Sequence, residues 1–421
     1  MTYDRFGNEL DPGVGYARGR LLASSADEVR RLRRAGQIAA EFVAREGMEK
    51  VAICTGNLRF FPATPADLPD LCEEWIGPGL YGEELREAAI NHMGGDGSEG
   101  VAVVNRTSAG IVAAILALSG GQPVLSLVPG GDRSHASVPR GARLAGVPVV
   151  ELHDLPELER MLAAHLSKLL IVTTVTSELA VLPDEVTAVA VKTARAAGCK
   201  VFLDEAYGAR FRPVIQGGAP SLSFGADLVV TNTDKAGLTG PRAGVLCGAA
   251  EALVPVIARA SELGMEARAP IAVGAMRSLQ AFTPAMLLEE ARDGLDLSEA
   301  LEAVLGGAFV QRSALGPKID EQDLFARVLE LGGAQGSPRV PAEVAAAVGM
   351  LMLRDKGLVT VNTHGQPGGR VSIRLKPTSG AVRRAGGATA IATCLTAAME
   401  TVAAHLENEA WFSALLFGEG K

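Results

Sequence analysis

From about Gly100 onward, short apolar runs rich in β-branched residues alternate with longer stretches of helical periodicity. The run GVAVVN leads into SAGIVAAILALSGG, a helix that Gly120 and Gly121 end. PVLSLV predicts the next strand, SHASVPRGARLAG a helix, VPVVEL a strand, LPELERMLAAHL a helix and KLLIVTTVT a strand. DEVTAVAVKTARAAG, with Pro183 just ahead of it, predicts another helix, and CKVFLDEA, DLVVT and GVLCG predict three more strands. Such alternation implies an α/β fold, a mainly parallel sheet covered by helices. Ligands of these sheets sit at the carboxyl ends of the strands, where the loops begin.

The flanks read differently. Residues 25–47 have the pattern of an amphipathic helix, whereas residues 51–80 are rich in Pro and Gly and show no clear period. Beyond Leu263 come several helices, a strand at VSIRL (371–375) and an alanine-rich helix from about Gly387 to Glu407. The expected organisation is an N-terminal helix and arm (1–80), a large domain (81–263) and a smaller C-terminal α+β domain (264–421).

Composition narrows the classes. A chain of 421 residues with 48% hydrophobic and 21% charged residues is long enough for two domains and a sizeable core. The net charge of -8 offers no electrostatic footprint for nucleic acid. No apolar run is long enough to cross a bilayer, and MTYDRFGNELDPG lacks the apolar region of a signal peptide. Cys54, Cys72, Cys199, Cys247 and Cys394 are scattered, without metal-ligand spacing. The expectation is a cytoplasmic protein with reduced thiols and no structural metal.

Four polar signals fall at the predicted strand ends. NRTSAG opens a helix directly after GVAVV, and Thr107, Ser108 and Ala109 offer hydroxyls and helix-start N–H groups suited to a phosphate. An ordinary helix cap by Thr107 or Ser108 explains the same residues. His135, in SHAS, can stack on a flat ligand or carry a proton. Asp204 ends the strand CKVFL, where a carboxylate can keep a pyridinium protonated or simply cap a turn. Lys235 lies between two apolar runs in LVVTNTDKAGLTGPRAGVLCG. A buried, unpaired ammonium is costly, so a lysine there is either exposed or covalently engaged. In this order on one sheet edge, the four make the set that binds pyridoxal 5'-phosphate (PLP), with the lysine bonded to its aldehyde.

DLVVTNTDKAGLTGPRAGVLCG resembles the lysine loop of the fold-type I, aspartate aminotransferase-like PLP enzymes. It is most similar to that of the bacterial selenocysteine synthases (L-seryl-tRNA selenium transferases) and their archaeal PLP-binding relatives. That group has an Asp-Lys pair followed by a Gly-Pro-Arg or Gly-Pro-Gln turn, matched by Asp234-Lys235 and Gly240-Pro241-Arg242. NRTSAGIVAAILAL resembles its phosphate loop and FLDEAYG its aspartate strand. The resemblance spans roughly Tyr81 to Gly248. It implies Lys235 as the imine-forming lysine, Asp204 as partner of the ring nitrogen, His135 as stacking residue, and Thr107 and Ser108 as phosphate ligands. The serine usual three residues before the lysine is Asn232 here, leaving Thr231 or Thr233 to replace it. The segment before the core is short, so no counterpart of the family's tRNA-binding domain is expected, and the modest basic cluster RRLRR reads as a solvated helix face.

The expected chemistry is removal of the Cα proton of a small amino acid or amine, followed by β-elimination or β-replacement. Aminotransfer, aldol cleavage, racemisation, selenium transfer to an aminoacyl-tRNA and a non-catalytic PLP-binding role are the alternatives. A substrate carboxylate calls for an arginine, Arg374 in VSIRL before Arg312 in VQRSALG. The resemblance further implies a homodimer or larger homo-oligomer. A Rossmann oxidoreductase is disfavoured, because NRTSAG holds one glycine where that fold's phosphate loop has three.

Overall fold

The computed structural model describes residues 2–164, 166–369 and 371–418. The chain forms two compact units, one of residues Leu58–Leu288 and one of Met1–Asn57 with Glu289–Lys421.

The larger unit is built on a seven-stranded sheet: β1 (Gly100–Val104), β2 (Val124–Leu127), β3 (Val149–Leu152), β4 (Leu169–Thr173), β5 (Lys200–Asp204), β6 (Leu228–Asn232) and β7 (Gly244–Gly248). Their order across the sheet is β1-β7-β6-β5-β4-β2-β3. β6, β5, β4, β2 and β3 pair in parallel, and β7 runs antiparallel to both of its neighbours, β1 and β6. The mainly parallel sheet of an α/β fold, expected from the alternation of strands and helices, is therefore present. β4 and β6 are buried at every position, which is why they read as continuous apolar runs.

Helix α1 (Gly77–Met93) and the helix Ala269–Ala281 pack together on this sheet through Tyr81, Leu85, Ala272, Val273 and Met276. That apolar face is why the unit boundaries fall at 57/58 and 288/289, rather than at 80 and 263 as the sequence suggests. Helix α2 (Thr107–Leu118) follows β1, and α3 (Ser137–Ala145) lies beyond β2.

The smaller unit has helices Ser25–Glu46, Glu321–Leu331, Pro341–Lys356 and Ala388–Ala403, with an antiparallel sheet of Gln311–Ser313, Gly316–Ile319 and Ile373–Arg374. The helix Pro341–Lys356 is buried from Pro341 to Leu353, surrounded by the apolar core of that unit. Its one buried carboxylate, Glu343, accepts hydrogen bonds from the Leu21 and Leu22 N–H groups at 2.6 and 3.2 Å. The N-terminal segment is thus tied to the C-terminal part of the chain. Among the described residues, no single helix is long and apolar enough to cross a membrane.

Candidate active site

The carboxyl ends of β1, β2, β5 and β6 share one edge of the sheet, and the antiparallel β7 brings its first residue, Gly244, to the same edge. Gly244 lies opposite Val104 on one side and Asn232 on the other. A Cβ there would come within 2.7 Å of the Arg106 carbonyl carbon and the Thr107 nitrogen. Only a glycine lets β7 approach the start of α2 so closely.

Lys235 crowns a loop in which Thr233 makes three of the anchoring hydrogen bonds. The Thr233 carbonyl accepts from Gly240 N–H at 2.7 Å and from the Ser278 hydroxyl at 3.0 Å, and its own hydroxyl donates to the Pro241 carbonyl at 2.7 Å. Ala236 has the left-handed φ of 52°, a conformation that costs a non-glycine residue about 1 kcal/mol or more and concentrates at functional sites. The Lys235 amine makes no hydrogen bond or ion pair among the described residues, and its Nζ lies 5.0 Å from the Tyr207 ring centroid. Burial pulls its ammonium below the usual lysine range, Asp234 and Asp204 oppose this, and Arg59 and Arg242 reinforce it.

Asp204, 4% exposed, accepts one described hydrogen bond, from Ala206 N–H to Oδ1 at 3.3 Å. Burial pushes its carboxyl upward, against the pull of Lys235. His135 is half-buried, bonded through Nδ1 to the Ser137 hydroxyl at 2.7 Å. Burial, reinforced by Lys235, Arg106 and Arg140, pushes it down to about 3, so the imidazole is neutral at physiological pH.

The start of α2 corrects one simple reading. Arg106 is the N-cap, with extended φ of -163°, and no side chain caps the helix. The hydroxyls of Thr107 and Ser108 are therefore not spent on capping and make no hydrogen bond among the described residues. Ala109 N–H, by contrast, is engaged with the Arg106 carbonyl at 2.9 Å.

A sequence model of the family "Aminotransferase class I and II" matches residues 76–302. The chain is 34% identical over 357 residues to a UPF0425 pyridoxal phosphate-dependent protein of Methanothermobacter thermautotrophicus, an alignment covering 84% of this chain and 89% of the relative. The chain belongs to the class I and II aminotransferase family. Pyridoxal phosphate is its cofactor. Among solved structures of this PLP-dependent fold, alanine–glyoxylate aminotransferase from Nostoc sp. superimposes with a TM-score of 0.54 at 16% identity, over 84% of this chain and 95% of that one. Aspartate aminotransferase from Thermus thermophilus gives 0.51 at 19% identity, over 88% of each chain.

The residues present fit PLP. A lysine amine without a polar partner, a buried carboxylate within its electrostatic reach, and two unused hydroxyls at a helix start are the donor and acceptor types that the aldehyde, ring nitrogen and phosphate require. The larger unit holds Lys235, Asp204, His135, Thr107, Ser108, Ala109 and Thr233, but Thr233 has its hydroxyl committed to Pro241. Thr231, the other substitute for the missing serine, donates to the Glu205 carbonyl at 3.0 Å, so neither threonine offers a phosphate its proton. Arg374 and Arg312 belong to the smaller unit. Arg374 is half-buried on its strand, whereas Arg312 is exposed with its fork occupied by Glu302 at 2.6 and 2.5 Å.

Several site residues escaped the sequence reading. Tyr207 lies under Lys235, and Arg59 donates from Nε to Asp234 Oδ2 at 2.8 Å. Arg242 makes no described hydrogen bond, and burial beside Arg59 and Arg106 brings it down to about 10. Tyr207 and Arg242 both lay inside motifs already in view, three residues after Asp204 and in the Gly-Pro-Arg turn; Arg59 lay in the segment without a period.

Proposed function

We propose that this protein is an enzyme that removes the Cα proton of a small amino acid or amine and then completes a β-elimination or β-replacement. The observation that carries this reading is the Lys235 amine, without hydrogen bond or ion pair among the described residues and within electrostatic reach of Asp204. Bound PLP supplies an electron sink for negative charge at the substrate Cα. Lys235 would hold the cofactor through its aldehyde and, as a free amine, would take up the Cα proton. Burial lowers its proton affinity, the direction that suits a base. Asp204 holds a proton on the ring nitrogen, neutral His135 covers one ring face, and Thr107 and Ser108 donate to the phosphate with Arg106 and Arg242 supplying positive charge.

Borohydride reduction of the loaded protein followed by peptide mapping should place the pyridoxyl mass on Lys235; a label on another lysine would refute the assignment. The β-chemistry rests on the resemblance of the Asp234-Lys235 loop to the selenocysteine synthases. A second reading, aminotransfer, draws on the family match itself. Product analysis separates them: β-elimination releases the β-substituent with ammonia and β-replacement exchanges that substituent while the amino group stays, whereas aminotransfer consumes a keto acid and leaves the β-substituent in place. A substrate on tRNA is disfavoured by the net charge of -8. Tight, salt-sensitive binding of bulk tRNA with no spectral response to any small amine would restore the selenium-transfer alternative. A loaded protein inert to every amine would point to a non-catalytic role. The protein acts as a homodimer, for which exposed Phe60, Phe61, Trp75, Ile76 and Leu80 supply apolar contact surface. A monomer by light scattering would contradict that.

A further inference from the structure

Arg210 takes no part in the roles above, yet it is 1% exposed, among the largest fully buried side chains of the protein. It lies on the helix Gly208–Ile215, just beyond the turn that follows Asp204. Its Nη1 donates to Thr231 Oγ1 at 2.9 Å, and its Nη2 to Asn232 Oδ1 at 2.9 Å and the Ala206 carbonyl at 3.0 Å. Asn232 Nδ2 donates to that same carbonyl at 2.9 Å. One guanidinium thus ties the end of β6, which leads to Lys235, to the turn after β5, which carries Asp204.

The bonds also have a direction. The Thr231 hydroxyl, having accepted from Arg210, donates its proton to the Glu205 carbonyl at 3.0 Å. That carbonyl belongs to the peptide group whose N–H, on Ala206, donates to Asp204 Oδ1 at 3.3 Å. Guanidinium to hydroxyl, hydroxyl to peptide, peptide to carboxylate: every donor points toward Asp204. Thr231 is fully buried and Asp204 nearly so. In such low-dielectric surroundings each bond polarises the next, and a charged donor at the head strengthens the acceptor bond at the tail.

We propose that Arg210 is a positioning residue for Asp204, orienting the carboxylate and favouring its ionised form through the Thr231 hydroxyl and the Glu205–Ala206 peptide. The inference rests on the reading that Asp204 faces the ring nitrogen of PLP. Burial alone disfavours the Asp204 carboxylate, and the Lys235 charge that offsets it is altered when that amine bonds the cofactor. The relay persists in both states, since none of its members touches Lys235's nitrogen.

The test uses Thr231→Val, which keeps the shape and removes the hydroxyl, Thr231→Ser, which restores it, and Asp204→Asn as reference. Each is loaded with PLP labelled with nitrogen-15 in the ring, and the ring-nitrogen NMR shift is followed against pH. Thr231→Val should move the titration to lower pH, in the same sense as Asp204→Asn, and weaken cofactor binding several-fold; Thr231→Ser should restore both. Thr231→Ala serves, with the same outcomes, if the valine variant does not fold. A wild-type titration in Thr231→Val, beside a shifted one in Asp204→Asn, would overturn this inference alone. An unshifted titration in Asp204→Asn would overturn the assignment of Asp204 and the relay with it.

Discussion

Gly244→Ala tests the geometry at the centre of the site. The added Cβ would lie 2.7 Å from the Arg106 carbonyl carbon and the Thr107 nitrogen, and 2.9 Å from the Arg106 oxygen. Ordinary contact begins near 3.4 Å, so the backbones must separate by about 0.7 Å. β7 is hydrogen-bonded on both edges and resists the shift. The start of α2 must therefore move, taking Thr107 and Ser108 with it. Overpacking of this kind costs about 1–3 kcal/mol. Displacing phosphate donors by a comparable fraction of an ångström should weaken PLP about 10- to 100-fold, at about 1.4 kcal/mol per factor of ten. Equilibrium titration with PLP, followed by absorbance, measures the affinity, and thermal unfolding of the apoprotein measures the strain. Gly110→Ala is the control, because its Cβ would meet only side-chain carbons, Leu246 Cδ2 at 3.2 Å and Val230 Cγ2 at 3.4 Å. The helix propensity it gains, about 0.8–1 kcal/mol, should nearly offset that contact. If Gly244→Ala binds PLP within twofold of wild type, the start of α2 does not hold the phosphate.

Asp204→Asn should keep the fold and lower turnover by about 10- to 100-fold, the worth of one charge-assisted hydrogen bond, measured as kcat on whichever amine responds. Asp67 is pulled down to about 2, first by its hydrogen bond from Arg277. Its folded value lies below its unfolded one, so its stabilisation is present above pH 4 and lost as pH falls through 2; Asp67→Asn should cost about 1 kcal/mol at neutral pH, solvent at Arg277 screening the rest, and well under half of that at pH 2 in acid-unfolding titrations. His92 is pushed down to about 3 by burial and then by Arg210. The unfolded chain binds that proton near pH 6.5 and the folded one does not, so stability falls from pH 6.5 toward 3, and His92→Gln should flatten that fall in urea titrations across the window.

The strands were legible because burial on both faces leaves uninterrupted apolar runs, as in LLIVT and LVV. The direction of β7 could have been read as well. Only the residues 233–243 separate it from β6, fewer than the dozen or more a parallel crossover needs. The arginines were not legible. Arg210 and Arg212 stand two residues apart on a short helix and resemble any exposed basic pair. Tertiary neighbours bury both, with Arg212 paired to Glu205 at 2.5 Å. Arg312 shows the converse. It stood second to Arg374 as a candidate for a substrate carboxylate, and the Glu302 that occupies its fork lies ten residues earlier on another element.

Strand order explains why four weak signals met. Asp204 pairs level with Val230 in the parallel β5–β6 register, so the chain from Thr231 to Lys235 climbs past the Asp204 carboxylate. The antiparallel return of β7 then inserts Gly244 between the ends of β6 and β1, which draws the start of α2 beside the lysine loop. β2 is three places from β6, separated by β4 and β5, so His135 depends on the residues 128–134 to bring it within electrostatic reach of Lys235. That segment is pinned at its end, where the buried Ser134 hydroxyl meets Ser126 at 2.7 Å and its N–H donates to Glu151 at 2.6 Å. The aspartate and lysine are thus placed by the sheet itself, whereas the histidine also depends on polar contacts at Ser134 and Ser137. Ser126→Ala should therefore loosen His135 while leaving Asp204 and Lys235 in register. The expected result is unchanged borohydride labelling of Lys235 with a PLP affinity reduced several-fold, and equal affinity would show that the sheet alone sets all three.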